Sequence, residues 1–184
     1  AAVKALDDAT LDANRIDAVV VSTCTGYLCP GLSSYVVERL GLRRDVQCFD
    51  LVGQGCAAAL PNWRLAKALL AEREARHVLT ICVEVSSAAM YLDNDPGVLI
   101  SACLFGDGAG ASVMSCEPRP DRRAVEFTTA RSLVNPDQRE ALRFETRGGM
   151  LRNVLTRPVP QLAGGHAREV LDAAVVPDRD RAFF

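Results

Sequence analysis

The chain has 184 residues, of which 49% are apolar and 24% charged, a balance typical of a globular protein that buries a core. The formal net charge of -2 and the scattered arginines provide no basic patch, which argues against nucleic acid as a partner. No apolar run reaches the roughly 18 to 20 residues that cross a bilayer, and the first residues lack the layout of a signal peptide, so we expect a cytoplasmic protein with no membrane partner.

Seven cysteines are present, an odd number, and most stand in apolar or turn-like segments. This usage is typical of reduced thiols in a cytosolic protein. Metal binding is the alternative, but Cys24 and Cys29 are not spaced as a Cys-x-x-Cys pair, and His77 and His166 are the only histidines. We therefore expect no metal.

The first segments predict a helix, a strand and a loop. Residues 1–11 read as a helix already under way, which suggests that the chain is a fragment. Residues 16–23 form a nearly continuous β-branched run, typical of a strand buried on both faces in a parallel sheet. A layered α/β fold follows, with residues 24–31 as a loop at the sheet edge where such folds place their ligands.

The next segments predict a helix and a second strand. Ser33 or Ser34 is expected to cap a helix that runs through Leu40 and ends at Gly41. Residues 46–52 then read as a short buried strand that returns the chain to the same sheet.

Cys56 follows that strand, and the predicted segments are organised around it. Gly53 and Gly55 permit a sharp turn, and the Ala/Leu-rich run after Cys56 predicts a long helix through about Glu72. A thiol at a helix start is a candidate nucleophile, because unpaired N–H groups there stabilise a thiolate. The alternative is a small buried residue that fills a gap in the core.

A third buried strand is predicted over residues 76–84, with His77 as a solvated residue at its start. Residues 98–104 predict a short helix, after which a glycine-rich turn leads into a strand through Cys116. Gly106, Gly108 and Gly110 resemble a dinucleotide fingerprint, but they open a strand rather than a helix, so we reject that interpretation. We expect them to permit close backbone packing, with Asp107 hydrogen-bonded inside the turn.

The last third is richer in charge and proline. Residues 117–147 predict a partly exposed crossover, Gly148 and Gly149 a turn, and residues 150–156 a strand. Residues 162–175 predict an amphipathic helix on which His166 is a surface residue. Its inward-facing side chains are predicted to be those of Leu162, Val170 and Leu171. Residues 177–184 show no capping pattern, so this end also looks interrupted.

Five motifs stand in an order that is similar to a known family. They are Cys-Thr-Gly-Tyr-Leu-Cys-Pro-Gly at 24–31, Gly-Leu-Arg-Arg-Asp-Val at 41–46, Gly-Gln-Gly-Cys at 53–56, Val-Leu-Thr-Ile-Cys-Val-Glu-Val at 78–85 and Leu-Phe-Gly-Asp-Gly-Ala at 104–109. With them the chain resembles the chalcone and stilbene synthase family, the type III polyketide synthases, and its bacterial members most. The resemblance implies a thiolase-like layered αβαβα fold that is incomplete here.

The resemblance also implies site residues, position by position. Cys56 matches the nucleophile that carries the acyl chain as a thioester, and Phe105 matches the aromatic gatekeeper that orients the malonyl unit. The matched substrate-pocket positions are Cys24 and Thr25 in the starter pocket, Ser86, Ala88 and Ala89 on the cavity wall, and Cys29, where plant members place a Met that reaches into the partner's cavity. Small residues on that wall imply a roomy or elongated cavity.

The implied activity is decarboxylative Claisen condensation of an acyl-CoA starter with malonyl-CoA, in a homodimer with no cofactor. The family's catalytic His and Asn would lie beyond this sequence, and its coenzyme A-binding basic residues ahead of Ala1. Residues 1–116 would be the later part of the first thiolase half and 117–184 the start of the second. The isolated chain is therefore expected to be inactive. The alternatives are a ketoacyl synthase III-like enzyme and a non-catalytic remnant that serves as a dimerisation element.

Overall fold

A computed structural model describes residues 1–117 and 124–174. The chain divides into two compact units, the first comprising Ala1–Met90 with Phe105–Glu126 and the second Tyr91–Leu104 with Phe127–Phe184. The predicted division between residues 116 and 117 refers to the halves of a longer fold and stays a prediction.

The described residues of the first unit form four helices and four strands. The helices are α1 (Ala2–Ala9), α2 (Leu32–Leu40), α3 (Ala59–Ala71) and α4 (Ser86–Ala89), and the strands are β1 (Ala18–Thr23), β2 (Gln47–Val52), β3 (His77–Glu84) and β4 (Gly108–Ser115). Single 3-10 turns occupy Ala13–Arg15 and Gly55–Ala57. The helices and strands predicted for residues 1–90 and 105–116 are therefore present.

The four strands form one mixed sheet in the order β2-β1-β3-β4. Strand β1 is parallel to both β2 and β3, whereas β4 is antiparallel to β3. Every residue of β1 is buried, which confirms the prediction of a strand covered on both faces. Val19 and Val21 pack in a cluster with residues of α1 and α2, while Val20 packs against Ala66 of α3. The unit is thus a sheet between two helical layers.

Strand β2 differs from the prediction of a buried strand. Its residues alternate between half-buried and exposed, because successive side chains point to opposite faces of the sheet. Among the described residues β2 pairs only with β1, so it is an edge strand. Phe49 and Leu51 pack toward the cluster that contains α3. The apolar run in the sequence reflects one buried face, not two.

The start of α2 also differs from the prediction, because neither Ser33 nor Ser34 caps the helix. Gly31 precedes α2, and a carboxylate from β2 does the capping: Asp50 accepts hydrogen bonds from the Ser33 N–H at 3.1 Å and from the Ser33 hydroxyl. A negative group at a helix start is favourable, and a Cβ on Gly31 would overlap this carboxylate. Gly41 ends the helix in the left-handed conformation with a φ of 63°, as predicted.

His77 is buried rather than solvated, with 5% of its surface exposed. Arg15 donates from Nη2 to His77 Nε2 at 3.4 Å, and Asp17 accepts a hydrogen bond from the His77 backbone N–H at 3.1 Å. Burial lowers the pKa of His77 below its usual 6.5, with Glu117 opposing this and Arg15 adding to it. The prediction of a surface residue was wrong because the segment before β1 covers the start of β3.

Gly106 precedes β4, while Gly108 and Gly110 lie within it and pair with Glu84 and Cys82 of β3. A Cβ built on any of the three would have no heavy atom within 4 Å, so the prediction that close packing requires glycine there was wrong. The turn opens β4, which is a strand, and this agrees with the rejection of a dinucleotide fingerprint.

The second unit comprises α5 (Pro96–Leu104), β5 (Leu142–Arg147), β6 (Met150–Leu155) and α6 (Val159–Ala174), with a 3-10 turn at Pro136–Gln138. Strands β5 and β6 pair antiparallel through Gly148 and Gly149, both of which have positive φ. β5 lies in the segment predicted as crossover, and the alternation of Leu142, Phe144 and Thr146 before two glycines was the signal for a hairpin.

The amphipathic helix α6 carries no buried residue, and Leu171 is 47% exposed, so its predicted inward orientation was wrong. Leu162 and Val170 are half-buried, and His166 is partly exposed with its Nε2 3.2 Å from Asn135 Nδ2. The predictions for residues 118–123, Val175 and 177–184 lie outside the described residues. No helix among the described residues is long and apolar enough to span a membrane.

Candidate active site

The strands of the first unit bring their loops to one edge of the sheet. Thr23 at the end of β1 is in register with Val52 at the end of β2, and Ser22 with Cys82 near the end of β3. Because β4 is antiparallel, its first residue, Gly108, pairs with the last residue of β3. The segments that carry the predicted site residues therefore all meet the same edge, where open α/β folds bind ligands.

Cys56 lies in the single 3-10 turn Gly55–Ala57, which leads into α3. Gly53 and Gly55 have φ values of 79° and 72°, a conformation that glycine adopts at little cost. Cys56 is an exposed residue. The alternative interpretation of Cys56 as a buried residue filling the core is therefore wrong.

Cys24, directly after β1, contacts the turn that carries Cys56. The Gly55 N–H donates to Cys24 Sγ at 3.1 Å. Burial raises the pKa of the Cys24 thiol, and the charge of Glu84 and the neighbouring Cys56 raise it further, against the lowering by the Gly55 and Gly53 N–H groups. Cys24 is thus favoured as a neutral thiol beside the exposed Cys56.

Glu84 at the end of β3 fixes the loop after β1. Its carboxylate accepts hydrogen bonds from the backbone N–H groups of Cys24 at 2.8 Å and Thr25 at 2.9 Å, and from the Thr25 hydroxyl at 2.6 Å. The Thr25 hydroxyl oxygen accepts in turn from the Val85 N–H at 2.9 Å. This role of Glu84 was not predicted, although a lone charge that ends an apolar strand was a signal for it.

The segment after β3 supplies the predicted wall residues. In α4, Ser86 is buried, Ala89 half-buried and Ala88 exposed. Phe105 is half-buried at the end of α5, and the turn after it is tied to α4 because Asp107 accepts hydrogen bonds from the Ser87 N–H at 2.8 Å and hydroxyl at 2.6 Å.

The prediction that Asp107 bonds inside its own turn was therefore wrong. The hydroxyl and N–H of Ser87 hold the pKa of the Asp107 carboxyl below its usual value, so it binds Ser87 as a carboxylate at neutral pH.

Cys29 lies further along the loop after β1 and is exposed, as are Tyr27 and Leu28 before it. Its predicted position at the cavity of a partner subunit involves a second chain and stays a prediction. This edge of the sheet therefore presents the exposed thiol of Cys56, the neutral thiol of Cys24 and a loop held by the carboxylate of Glu84. An exposed thiol of this kind can accept an acyl group from a thioester.

Solved structures share this mixed α/β, thiolase-like fold. Germicidin synthase from Streptomyces coelicolor, a type III polyketide synthase, is 28% identical with a TM-score of 0.82, and the match covers 97% of this chain and 48% of that one. PKS-I from the brown alga Ectocarpus siliculosus is 25% identical with a TM-score of 0.84, and the match covers 94% and 46%.

The sequence comparisons define the family. The family model for FAE1/Type III polyketide synthase-like proteins matches residues 1–134. A 3,5-dihydroxyphenylacetyl-CoA synthase of Streptomyces toyocaensis is 31% identical over 156 residues, which is 82% of this chain and 40% of that protein. The chain belongs to the type III polyketide synthase family and spans half or less of the length of these relatives.

Proposed function

We propose that this chain is the nucleophile-bearing part of a type III polyketide synthase, which condenses an acyl-CoA starter with malonyl-CoA and uses Cys56 as the nucleophile. The observation that carries the proposal is the sheet edge, where an exposed Cys56 stands in a turn supported by Cys24 and followed by α3. Membership of the family supports the class of reaction.

The proposed reaction has two stages. The Cys56 thiolate attacks the carbonyl carbon of the starter thioester and expels coenzyme A thiolate, which takes up a proton. Malonyl-CoA then loses carbon dioxide, and the resulting enolate carbon attacks the Cys56 thioester. The Cys56 thiolate leaves, and the product is a β-ketoacyl-CoA extended by two carbons.

The other site residues would shape this chemistry. Phe105 would orient the malonyl unit, while Cys24 and Thr25 would line the starter pocket. Ser86, Ala88 and Ala89 would form a wall whose small side chains suit an aromatic or a long-chain starter, and Cys29 would face the cavity of the second subunit in a homodimer. The substrates would be coenzyme A thioesters, with no further cofactor.

The developing enolate and oxyanion need donors that this chain is not expected to supply. In the proposed synthase a His and an Asn from another part of the protein would do this. The intact mass of the protein from its native host tests the assignment, because a synthase would have about twice the 19.8 kDa of this chain. A mass equal to that of this chain would favour the non-catalytic remnant.

Acyl transfer is the direct test of the nucleophile. The full-length protein, incubated with a labelled acyl-CoA, is expected to carry one labelled thioester on the peptide that contains Cys56. Cys56→Ala should abolish the label. Cys48→Ala is the matched control, since Cys48 is an exposed thiol within β2. Label retained in Cys56→Ala would contradict the assignment.

A ketoacyl synthase III-like enzyme is the second candidate, because that class shares the Cys nucleophile and the Phe-Gly-Asp-Gly-Ala turn at 105–109. The extender substrate separates the two. A type III polyketide synthase is expected to use malonyl-CoA, whereas the alternative requires malonate on a carrier protein. Condensation with carrier-bound malonate alone would favour the second candidate.

A further inference from the structure

Asn62 is a buried polar residue that the proposed chemistry does not use. It lies in the first turn of α3 and has no exposed surface. Its Oδ1 accepts a hydrogen bond from the Ser22 hydroxyl, and its Nδ2 lies 3.0 Å from the Ile81 carbonyl oxygen and 3.5 Å from Cys82 Sγ, to which it donates. One side chain thus joins α3 to the ends of both β1 and β3.

An apolar side chain of similar volume would fill the position of Asn62 equally well. The other buried residues of α3, Ala66 and Leu70, make contacts without direction, which constrain the helix less. Hydrogen bonds with two strands fix both the rotation and the height of α3 on the sheet. A fully satisfied buried network is the means by which a core selects one arrangement.

The backbone carries this constraint to Cys56. The Asn62 N–H donates to the Ala58 carbonyl at 3.2 Å, and the Ala58 N–H donates to the Gly55 carbonyl at 3.2 Å. Ala58 and Gly55 lie on either side of Cys56 in the chain. The turn that holds Cys56 is therefore continuous with the helical turn that Asn62 anchors.

We propose that Asn62 is a positioning residue, which holds the turn of Cys56 in place through its hydrogen bonds with Ser22 and Ile81. The effect of Asn62 on catalysis rests on the proposed function. Its effect on the position of the Cys56 turn does not, so the two effects are tested separately.

Amide hydrogen exchange in the 184-residue chain tests the position. In Asn62→Leu, and more mildly in Ser22→Ala, exchange at residues 55–58 is expected to rise about fivefold to tenfold relative to exchange in β1. Ser101 and Asn153 provide the matched control, because Ser101 Oγ donates to Asn153 Oδ1 at 2.7 Å and both residues are buried in the second unit.

Asn153→Leu and Ser101→Ala should leave exchange at residues 55–58 unchanged. Equal changes in the control variants, or no change in Asn62→Leu and Ser22→Ala, would overturn the proposal. If Asn62→Leu does not fold, Ser22→Ala decides, because it removes one donor and leaves the volume almost unaltered.

Steady-state kinetics of the full-length synthase test the catalytic consequence. Asn62→Leu and Ser22→Ala are expected to lower kcat for condensation about tenfold or more, with KM for the starter within about twofold, since misplacing a nucleophile costs rate rather than substrate affinity. An unaltered kcat together with raised exchange would overturn the catalytic role. A wild-type protein without condensation activity would instead refute the proposed function and leave the exchange result to decide the positioning.

Discussion

Glu84 turns its carboxylate back onto the loop that follows β1, and it binds that loop mainly through backbone N–H groups. Three donors from Cys24 and Thr25 lie within 3.0 Å of its oxygens. A carboxylate with several donors is difficult to replace, because an amide of the same shape offers one acceptor oxygen and turns an N–H group toward the remaining donors. The position of Thr25 therefore depends on the charge and the shape of Glu84.

We expect Glu84→Gln to lower the free energy of unfolding by about 1 to 3 kcal/mol, because several half-buried donors would lose their acceptor. Urea unfolding followed by circular dichroism measures this. Glu38→Gln, on the exposed side of α2, is the control and should stay within about 0.5 kcal/mol of wild type. Equal stability of Glu84→Gln and Glu38→Gln would show that the hydrogen bonds of Glu84 contribute nothing measurable.

His77 makes stability depend on pH. Because burial lowers its pKa in the folded state, the proton binds more tightly to the unfolded chain. The stabilising contribution of neutral His77 is complete above its usual value of 6.5 and is lost as the pH falls through the lowered folded-state value. The bond from Arg15 acts in the same direction, since Nε2 accepts it only when unprotonated.

The wild-type chain is expected to lose stability as the pH is lowered from about 7.5 to 5, and His77→Gln should show a shallower loss over the same range. Urea unfolding at a series of pH values provides the slopes. Arg15→Gln should give an intermediate slope because it removes one of the two effects. A slope in His77→Gln as steep as in wild type would mean that other groups control acid unfolding.

The turn between β2 and α3 depends on glycine. Gly55 has a φ of 72°, and its N–H binds Cys24, so a side chain there is strained whatever the space around it. Gly108, by contrast, opens β4 with an ordinary φ, and a Cβ on it would meet no atom within 4 Å. The two glycines share a sheet edge but not a conformational requirement.

Gly55→Ala should therefore destabilise the chain by about 1 to 2 kcal/mol, the cost of a Cβ in the left-handed region. Gly108→Ala is the control and should change stability by less than about 0.5 kcal/mol. Thermal unfolding of both variants makes the comparison. A larger loss for Gly108→Ala than for Gly55→Ala would show that the turn relaxes to another conformation.

The whole chain carries Cys56, the proposed nucleophile, but is not expected to have the groups that stabilise the negative charge of the proposed reaction. Catalytic groups that act as a unit fail together when some are missing. The purified 184-residue chain with acyl-CoA and malonyl-CoA should therefore give no polyketide, while iodoacetamide should still alkylate the exposed Cys56.

Mass spectrometry of the product mixture and of the Cys56 peptide measures polyketide formation and alkylation in one sample. Cys56→Ala provides the background for alkylation. Polyketide formed by the isolated chain would overturn the expectation that the catalytic His and Asn lie elsewhere. It would also mean that groups within this chain stabilise the enolate.

The local sequence was sufficient for most elements of the first unit and for the family. Some features are properties of neighbouring residues and can be recognised without a structure. They are the β-branched run of β1, the glycines before Cys56 and the order of the five motifs. Steric preferences of glycine and the periodicity of burial act over a few positions, and this is why the predicted turn and helix around Cys56 are present.

Which faces are covered and which polar groups meet depend on contacts between distant parts of the chain. β2 is exposed on one face because its packing toward the cluster that contains α3 is made by Phe49 and Leu51 on the opposite face, and His77 is buried by the segment that contains Arg15. Glu84 contacts Thr25, 59 positions away, and Asn62 contacts Ser22, 40 positions away. Burial and hydrogen bonding depend on such distant neighbours, which no local pattern specifies.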